Sequence, residues 1–273
     1  TGNCDDIPWG KRGVDNNNAY TATGAVAAVD CADGSYSTNG NGDCVDVPAG
    51  KRGENGEGAY SSTRARAAVD CADGSYSTNG TGDCVDVPAG SRGENGSGAY
   101  ASSGAVIAVA CSGGTYSTNG TGDCVDVPNG KRGEDGSGAY SSSGAVIAVD
   151  CASGSYSTNG TGDCQDVPPG NRGIGVSAAY ASAGAINYAV CPAGTFNTNG
   201  TSDCDDIPSG KRGETSGGAY TATGAVAAVD CVNGKYSTDG TGDCVDVPNG
   251  QRGEDGSNAY ASTGAVIAVA CAD

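Results

Sequence analysis

The feature that most constrains this chain is the forty-residue spacing of its cysteines. They fall at Cys4, Cys44, Cys84, Cys124, Cys164, Cys204 and Cys244, and again at Cys31, Cys71, Cys111, Cys151, Cys191, Cys231 and Cys271. Both series advance by 40 with no insertion. A period between about 20 and 50 residues is the signature of a solenoid or linear array, in which each unit packs mainly on its neighbours. The 273 residues are therefore expected to form a single rod of seven tandem repeats, with approximate bounds 1–40, 41–80, 81–120, 121–160, 161–200, 201–240 and 241–273. Seven copies of 40 would make 280 residues, seven more than the 273 present; the stretch wanting after Asp273 corresponds to Gly34–Gly40 (GSYSTNG). The two ends are thus in register, as expected of a segment of a longer array or of chains that meet head to tail. An opening at Thr1 without a charged-then-apolar leader reads as a processed product or an internal segment.

Other positions recur in every copy. One series is Pro8, Pro48 and so on to Pro248; others run from Arg12 to Arg252, from Tyr20 to Tyr260 and from Asp6 to Asp246. Segments such as Asp46-Val-Pro48-Ala-Gly50-Lys-Arg52 place Pro and Gly as a turn requires, since Pro fixes φ and Gly permits positive φ. Asp46 and Arg52 flank that turn and read as an ion pair or an Arg-to-carbonyl clamp. Asn39-Gly40 and Asn79-Gly80 are tight-turn signals. The run Gly104–Cys111 (GAVIAVAC), with β-branched residues behind a Gly, favours strand over helix. Arg64 and Arg66 replace its counterparts in the second copy, two apart, as suits a strand with one wet face. The expected fold class is all-β, small and disulfide-rich: a solenoid-like array of short strands and turns.

Composition sharpens this. Each repeat offers one or two Tyr, a few Val or Ile and many Ala, so the core must be thin. At about 25 cal/mol per Å² of buried apolar surface, it cannot offset the ordering entropy of the chain. Cross-links must contribute, and a disulfide closing a loop of roughly 15 residues adds about 3 kcal/mol in the loop-entropy model. Fourteen Cys imply an oxidising, extracellular or cell-surface location. A net charge of −18 disfavours nucleic acid. An apolar run such as Gly264–Cys271 is far short of the ~20 residues of a membrane span. With no His, the chain has no Ser-His-Asp or Cys-His catalysis and no Cys/His zinc site. Carboxylate pairs such as Asp5 and Asp6 recur only partly along the repeats, whereas an active site is usually a single place. No catalytic residue and no enzyme are expected.

Two regular pairings of the cysteines compete. A long scheme joins Cys4 to Cys31, Cys44 to Cys71 and onward, using all fourteen. A short scheme joins Cys31 to Cys44, Cys71 to Cys84, Cys111 to Cys124, Cys151 to Cys164, Cys191 to Cys204 and Cys231 to Cys244, leaving Cys4 and Cys271 over. Sequence alone does not choose between them.

The stretch Cys191-Pro-Ala-Gly-Thr-Phe-Asn-Thr-Asn-Gly-Thr-Ser-Asp-Cys204 resembles the CPAGTYS-type modules of ephrin-receptor-like and TNF-receptor-like cysteine-rich repeats. Those modules run in series as C-P-x-G … C-x-x-C-P-x-G. Cys204-Asp-Asp-Ile207-Pro208-Ser-Gly210 fits that join with Ile207 in place of the second Cys, and Ala228-Val-Asp-Cys231 fits it with Ala228 in place of the first. Each repeat thus resembles two modules, one of which has exchanged its disulfide for an apolar pair such as Ile207 with Ala228 or Val47 with Ala68. The resemblance implies the short scheme. It leaves Cys271 and Cys4 related as Cys231 is to Cys244, across a junction between chains, as candidates for an intermolecular disulfide.

The remaining candidate chemistry is on the surface. Asn79, Asn119, Asn159 and Asn199 each head an Asn-Gly-Thr sequon at the repeat period, and Asn95-Gly-Ser97 adds a fifth glycosylation candidate. Runs such as Asn39–Asp46 and Asp30–Gly34 place oxygen ligands at alternate positions, as weak calcium loops do, but lack the spacing and closing Glu of an EF-hand. No cofactor or metal site is expected beyond such weak calcium binding. The Ser37-Thr38 dipeptide, repeated along the chain, suggests an ice- or mineral-binding face. Taken together, these features describe an acidic, cysteine-rich glycoprotein that acts as an extracellular structural element. It would be the subunit of a self-assembling surface filament, fibre or flagellar-hair-like appendage, its partner being itself, head to tail or laterally, with glycans. The alternative is a stalk or adhesin, or a calcium- or ice-binding module on a cell surface.

Overall fold

A computed structural model of the chain describes residues 4–271. Among these residues it is all-β, without helix, and short strand pairs recur about every 40 residues. The described chain divides into two compact units. One runs to Asp126 and takes in Glu134–Ile147; the other comprises Val127–Gly133 and the residues from Ala148 onward.

Each repeat is built from two hairpins of unequal length. In the long hairpin, Lys51–Glu54 pairs antiparallel with Ala67–Asp70, placing Arg52 opposite Val69 and Gly53 opposite Ala68. In the short hairpin, Ser75–Tyr76 pairs with Val85–Asp86. The turn expected around Pro48 is present: Lys51 N–H donates to the Pro48 carbonyl at 3.2 Å, and Gly50 has φ of 81°. The GAVIAVAC run is extended as expected, with Ile107–Ala110 in a strand opposite Ser91–Glu94.

The six disulfides of the short scheme are formed, Cys31–Cys44 through Cys231–Cys244, each joining residues 13 apart. They close the short hairpins, and Cys31, Cys71, Cys111, Cys151, Cys191 and Cys231 are buried almost completely. The cysteines are therefore part of the core itself, beside Val47 and Ala65 and their counterparts. The apolar partner of Val47 differs from the one expected. Ala68 is half-buried in the ladder, whereas Ala65 is 2% exposed. In the sixth copy, a Cβ on Gly213 would lie 2.8 Å from Ala225 Cβ and 2.9 Å from Ile207 Cδ1. The exchanged pair is thus Ile207 with Ala225, not with Ala228. The reason is that the ladder turns the later alanine to the side, while the loop residue ahead of the strand drops under the hairpin.

Consecutive repeats meet through their backbones. Tyr76 forms a parallel bridge with Ala105 of the next repeat, and Ser77 N–H donates to the Ala105 carbonyl at 3.0 Å. Gly50 N–H donates to Ser77 O at 2.6 Å, and Gly104 N–H to Cys71 O at 2.7 Å. A Cβ on Gly90, whose φ is 78°, would lie 2.2 Å from the carbonyl oxygen of Gly144. The same glycine contact joins Gly130 to Gly184, Gly170 to Gly224 and Gly210 to Gly264. Gly82 also has positive φ, 80°, but open space where its Cβ would be. Two alanine substitutions therefore separate conformational strain from contact. Gly82→Ala should cost about 1 kcal/mol, the left-handed penalty alone. Gly90→Ala should cost clearly more, because the neighbouring repeat must also move, and guanidinium unfolding of the two variants checks the order.

Candidate functional site

The most regular side-chain constellation is a guanidinium held at each repeat. Arg92 donates through Nε and Nη2 to one oxygen of Glu94, at 3.0 and 2.8 Å, and through Nη1 to Asp123 at 2.7 Å. Glu94 is supplied by the same strand two residues on; Asp123 comes from the loop before Cys124 and also accepts the Cys124 N–H. Arg52 and Arg212 repeat the arrangement with Glu54 and Asp83, and with Glu214 and Asp243. The expected Asp46–Arg52 pair is therefore not the one formed. Asp46 is exposed at the end of the short hairpin, and Arg52 reaches forward 31 residues to Asp83. The turn at Pro48 directs the Arg strand away from Asp46, whereas the disulfide loop presents Asp83 to it.

Val14 and Ile174 stand where other copies have the Glu. Arg12 and Arg172 keep their Asp partners, Asp43 and Asp203. The Nε of Arg172 is buried without a hydrogen-bond partner, as the exchange for Ile174 requires. The Arg hydrogen bond holds the carboxyls of Asp43, Asp123, Asp203 and Asp243 below the ordinary carboxylate range, with burial opposing and the following cysteine's N–H assisting. Burial, and then a hydrogen bond to Asp33 or Asp73, raises the Tyr60 and Tyr100 hydroxyls.

The glycosylation candidates share one geometry. The Oδ1 of Asn79 accepts from Thr81 N–H at 3.1 Å and from Thr81 Oγ1 at 2.7 Å. Asn119, Asn159 and Asn199 do the same with Thr121, Thr161 and Thr201. All four Asn are exposed, and their amide nitrogens, the atoms a glycan would join, take no part in these bonds. Asn95 is half-buried, and its Oδ1 accepts from Ser97 and Ala99. The threonine also packs: the Thr121 methyl lies where a Cβ on Gly74 would be.

The carboxylates of the candidate calcium runs are dispersed. Asp30 binds Lys11, Asp43 binds Arg12, and Asp33 accepts from the Tyr60 hydroxyl and Gly82 N–H. No group of three or more acidic or Cys side chains gathers to hold a metal among the described residues. Ser37 and its counterparts Ser77, Ser117, Ser157 and Ser237 are buried, with Oγ accepting from the Gly three residues on, so only the neighbouring Thr reaches the surface. Cys4 and Cys271 are free and exposed. No helix among the described residues is long and apolar enough to cross a membrane. No family model and no curated protein matches the chain.

The ion pairs carry a pH signature. A depressed carboxyl contributes stability above its unfolded pKa of about 3.9, and that stability is lost as pH falls through the folded value. A raised tyrosine contributes below about pH 10 and loses its contribution as pH rises further. Melting temperature should therefore fall on both limbs, and Tyr60→Phe should flatten only the alkaline one. Arg92→Ala, which strands the 12% exposed Glu94 side chain, should cost about 1–2 kcal/mol. Glu94→Val should cost less, because Val14 already occupies that position in the first copy.

Proposed function

We propose that this chain is an extracellular structural protein, the repeat element of a self-assembling surface filament, fibre or hair-like appendage. The observation that carries the reading is the repeat junction. The same backbone contact, Gly90 on Gly144 or Gly210 on Gly264, recurs at a fixed offset of 54 residues. A contact that joins two different faces of the same unit can be repeated from copy to copy, as linear assembly requires. Six disulfides suit an oxidising compartment outside the cell. The two exposed free thiols belong one to each cysteine class, and a Cys271–Cys4 bond between chains would repeat the Cys231–Cys244 pairing. The acidic surface, with glycans on Asn79, Asn119, Asn159 and Asn199, keeps filaments hydrated and apart.

A denaturing gel of native material, run with and without reductant, tests the assembly. A ladder of multiples of 26.3 kDa that collapses on reduction, and that Cys271→Ser abolishes, is the expected result. A single 26.3 kDa band in both lanes, from material that is monomeric before denaturation, overturns the filament in favour of a stalk. Intact mass before and after enzymatic removal of N-glycans should fall by up to four glycans at the periodic sites; an unchanged mass removes the glycoprotein assignment.

A further inference from the structure

One cluster breaks the period in three places at once. Trp9, the single Trp of the chain, stands where the other copies have Ala49, Ala89, Asn129, Pro169, Ser209 and Asn249. Arg66 stands where they have Val or Ile, as at Val106 and Ile186. Arg64 replaces a glycine that all six other copies keep. These three residues lie up to 57 positions apart in sequence, yet they meet: the Arg66 guanidinium is 5.8 Å from the centre of the Trp9 ring, within cation–π range, and a Cβ on Gly10 would touch the Arg64 backbone.

The cluster is maintained against a cost. Arg64 has φ of 62°, the left-handed conformation that Gly104, Gly144 and Gly184 adopt without strain. An L-residue there costs about 1–2 kcal/mol. Trp9 is 57% exposed, so its ring contributes little to the core. Lys11 and Arg64 share Asp30, at 2.7 and 3.5 Å, and Arg66 has no carboxylate partner among the described residues. Three cationic side chains, Lys11, Arg64 and Arg66, thus gather with Asp30 about an exposed aromatic ring on a chain of net charge −18.

That chain also carries the complement. Val45-Asp46, Val85-Asp86 and Val125-Asp126 are exposed dipeptides on the short hairpins, with each Val 56–57% exposed. None of these three Asp has a cationic partner among the described residues, whereas the equivalent Asp246 is held by Lys235 at 2.7 Å. We infer that the Trp9–Arg64–Arg66 cluster binds a Val-Asp hairpin of a second copy of this chain, the Trp ring covering the valine and the guanidinium of Arg66 taking the carboxylate. The contact is lateral, and it rests on the structural reading above. Aromatic and Arg side chains are the residue types that dominate such anchors, and Arg suits a carboxylate through its planar fork.

The test is sedimentation of the full chain with Cys4 and Cys271 alkylated and the six disulfides intact, so that covalent joining contributes nothing. The comparison is Trp9→Ala/Arg64→Gly/Arg66→Val, which installs the residues of the repeats that already fold with Ala89, Gly104 and Val106. Wild type should self-associate at low salt about tenfold or more tightly than this variant. Association should weaken at about 0.5 M salt, where screening is nearly complete within a contact distance. Asp46→Asn/Asp86→Asn/Asp126→Asn should lose it likewise. Unchanged association in either variant, or a wild type that stays monomeric, overturns the inference. Capture of alginate by wild type but not by the triple Trp/Arg variant, with no self-association, overturns it in favour of an anionic polysaccharide. A missing ladder on the gel with this association intact would sink head-to-tail joining and leave the lateral contact standing; the reverse result would sink the lateral contact alone.

Discussion

Backbone touching backbone at Gly90 and Gly144 sets the spacing of the structure. Where a carbonyl oxygen lies 2.2 Å from the place of a missing Cβ, no side chain can enter, so the junction between repeats has no room for a layered core. Burial falls mostly on small groups, as with Val47, Ala65, Cys71 and Ser77, with Asn197 in the place of the serine in the fifth copy. The hydrophobic term is correspondingly modest. Its place is taken by main-chain hydrogen bonds across the junction and by cross-links that restrict the unfolded chain. Stability of this kind belongs to pairs of neighbours rather than to a single repeat.

The charged groups follow the same economy. From Arg12 to Arg212 the Arg clamp ties a strand to the loop just before a bridged cysteine, and the Asp in that loop, as Asp123 does at Cys124, also caps the cysteine N–H, so one carboxylate organises both. Where Val14 or Ile174 removes the Glu, the clamp keeps its longer arm to Asp43 or Asp203. The forward ion pair is therefore the invariant part across these copies, and the local Glu supports it.

The period made the fold class legible, because a strict recurrence of Cys, Pro, Gly and Tyr leaves few local structures that satisfy all copies. The turn at Pro48 and the strand at Ile107–Ala110 follow from local chemistry and appear where the residues place them. Contacts across repeats were not legible. Nothing in the residues around Arg52 distinguishes Asp46, six positions away, from Asp83, 31 positions away; only the path of the chain through the intervening hairpins does. The same holds for Ala65 against Ala68, which differ in burial but not in chemistry. Arg64 and Arg66 read as one wet face. Their company with Trp9 depends on how the first repeat packs against the second.

The bridges have a mechanical corollary. Each disulfide shortens only its own 13-residue loop, so no covalent shortcut spans the 27 steps (71 − 44) from Cys44 to Cys71. A pull on the chain ends loads the long hairpin and its glycine junctions, while the bridged loops stay closed. At about 3.3–3.6 Å per residue, one such segment spans at most roughly 90–97 Å when drawn out, and yielding frees that length less its folded span. The bridged loop beside it remains a preformed template on which the segment can close again. The array is thus a chain of extensible links between inextensible knots, able to lengthen under load without breaking a covalent bond.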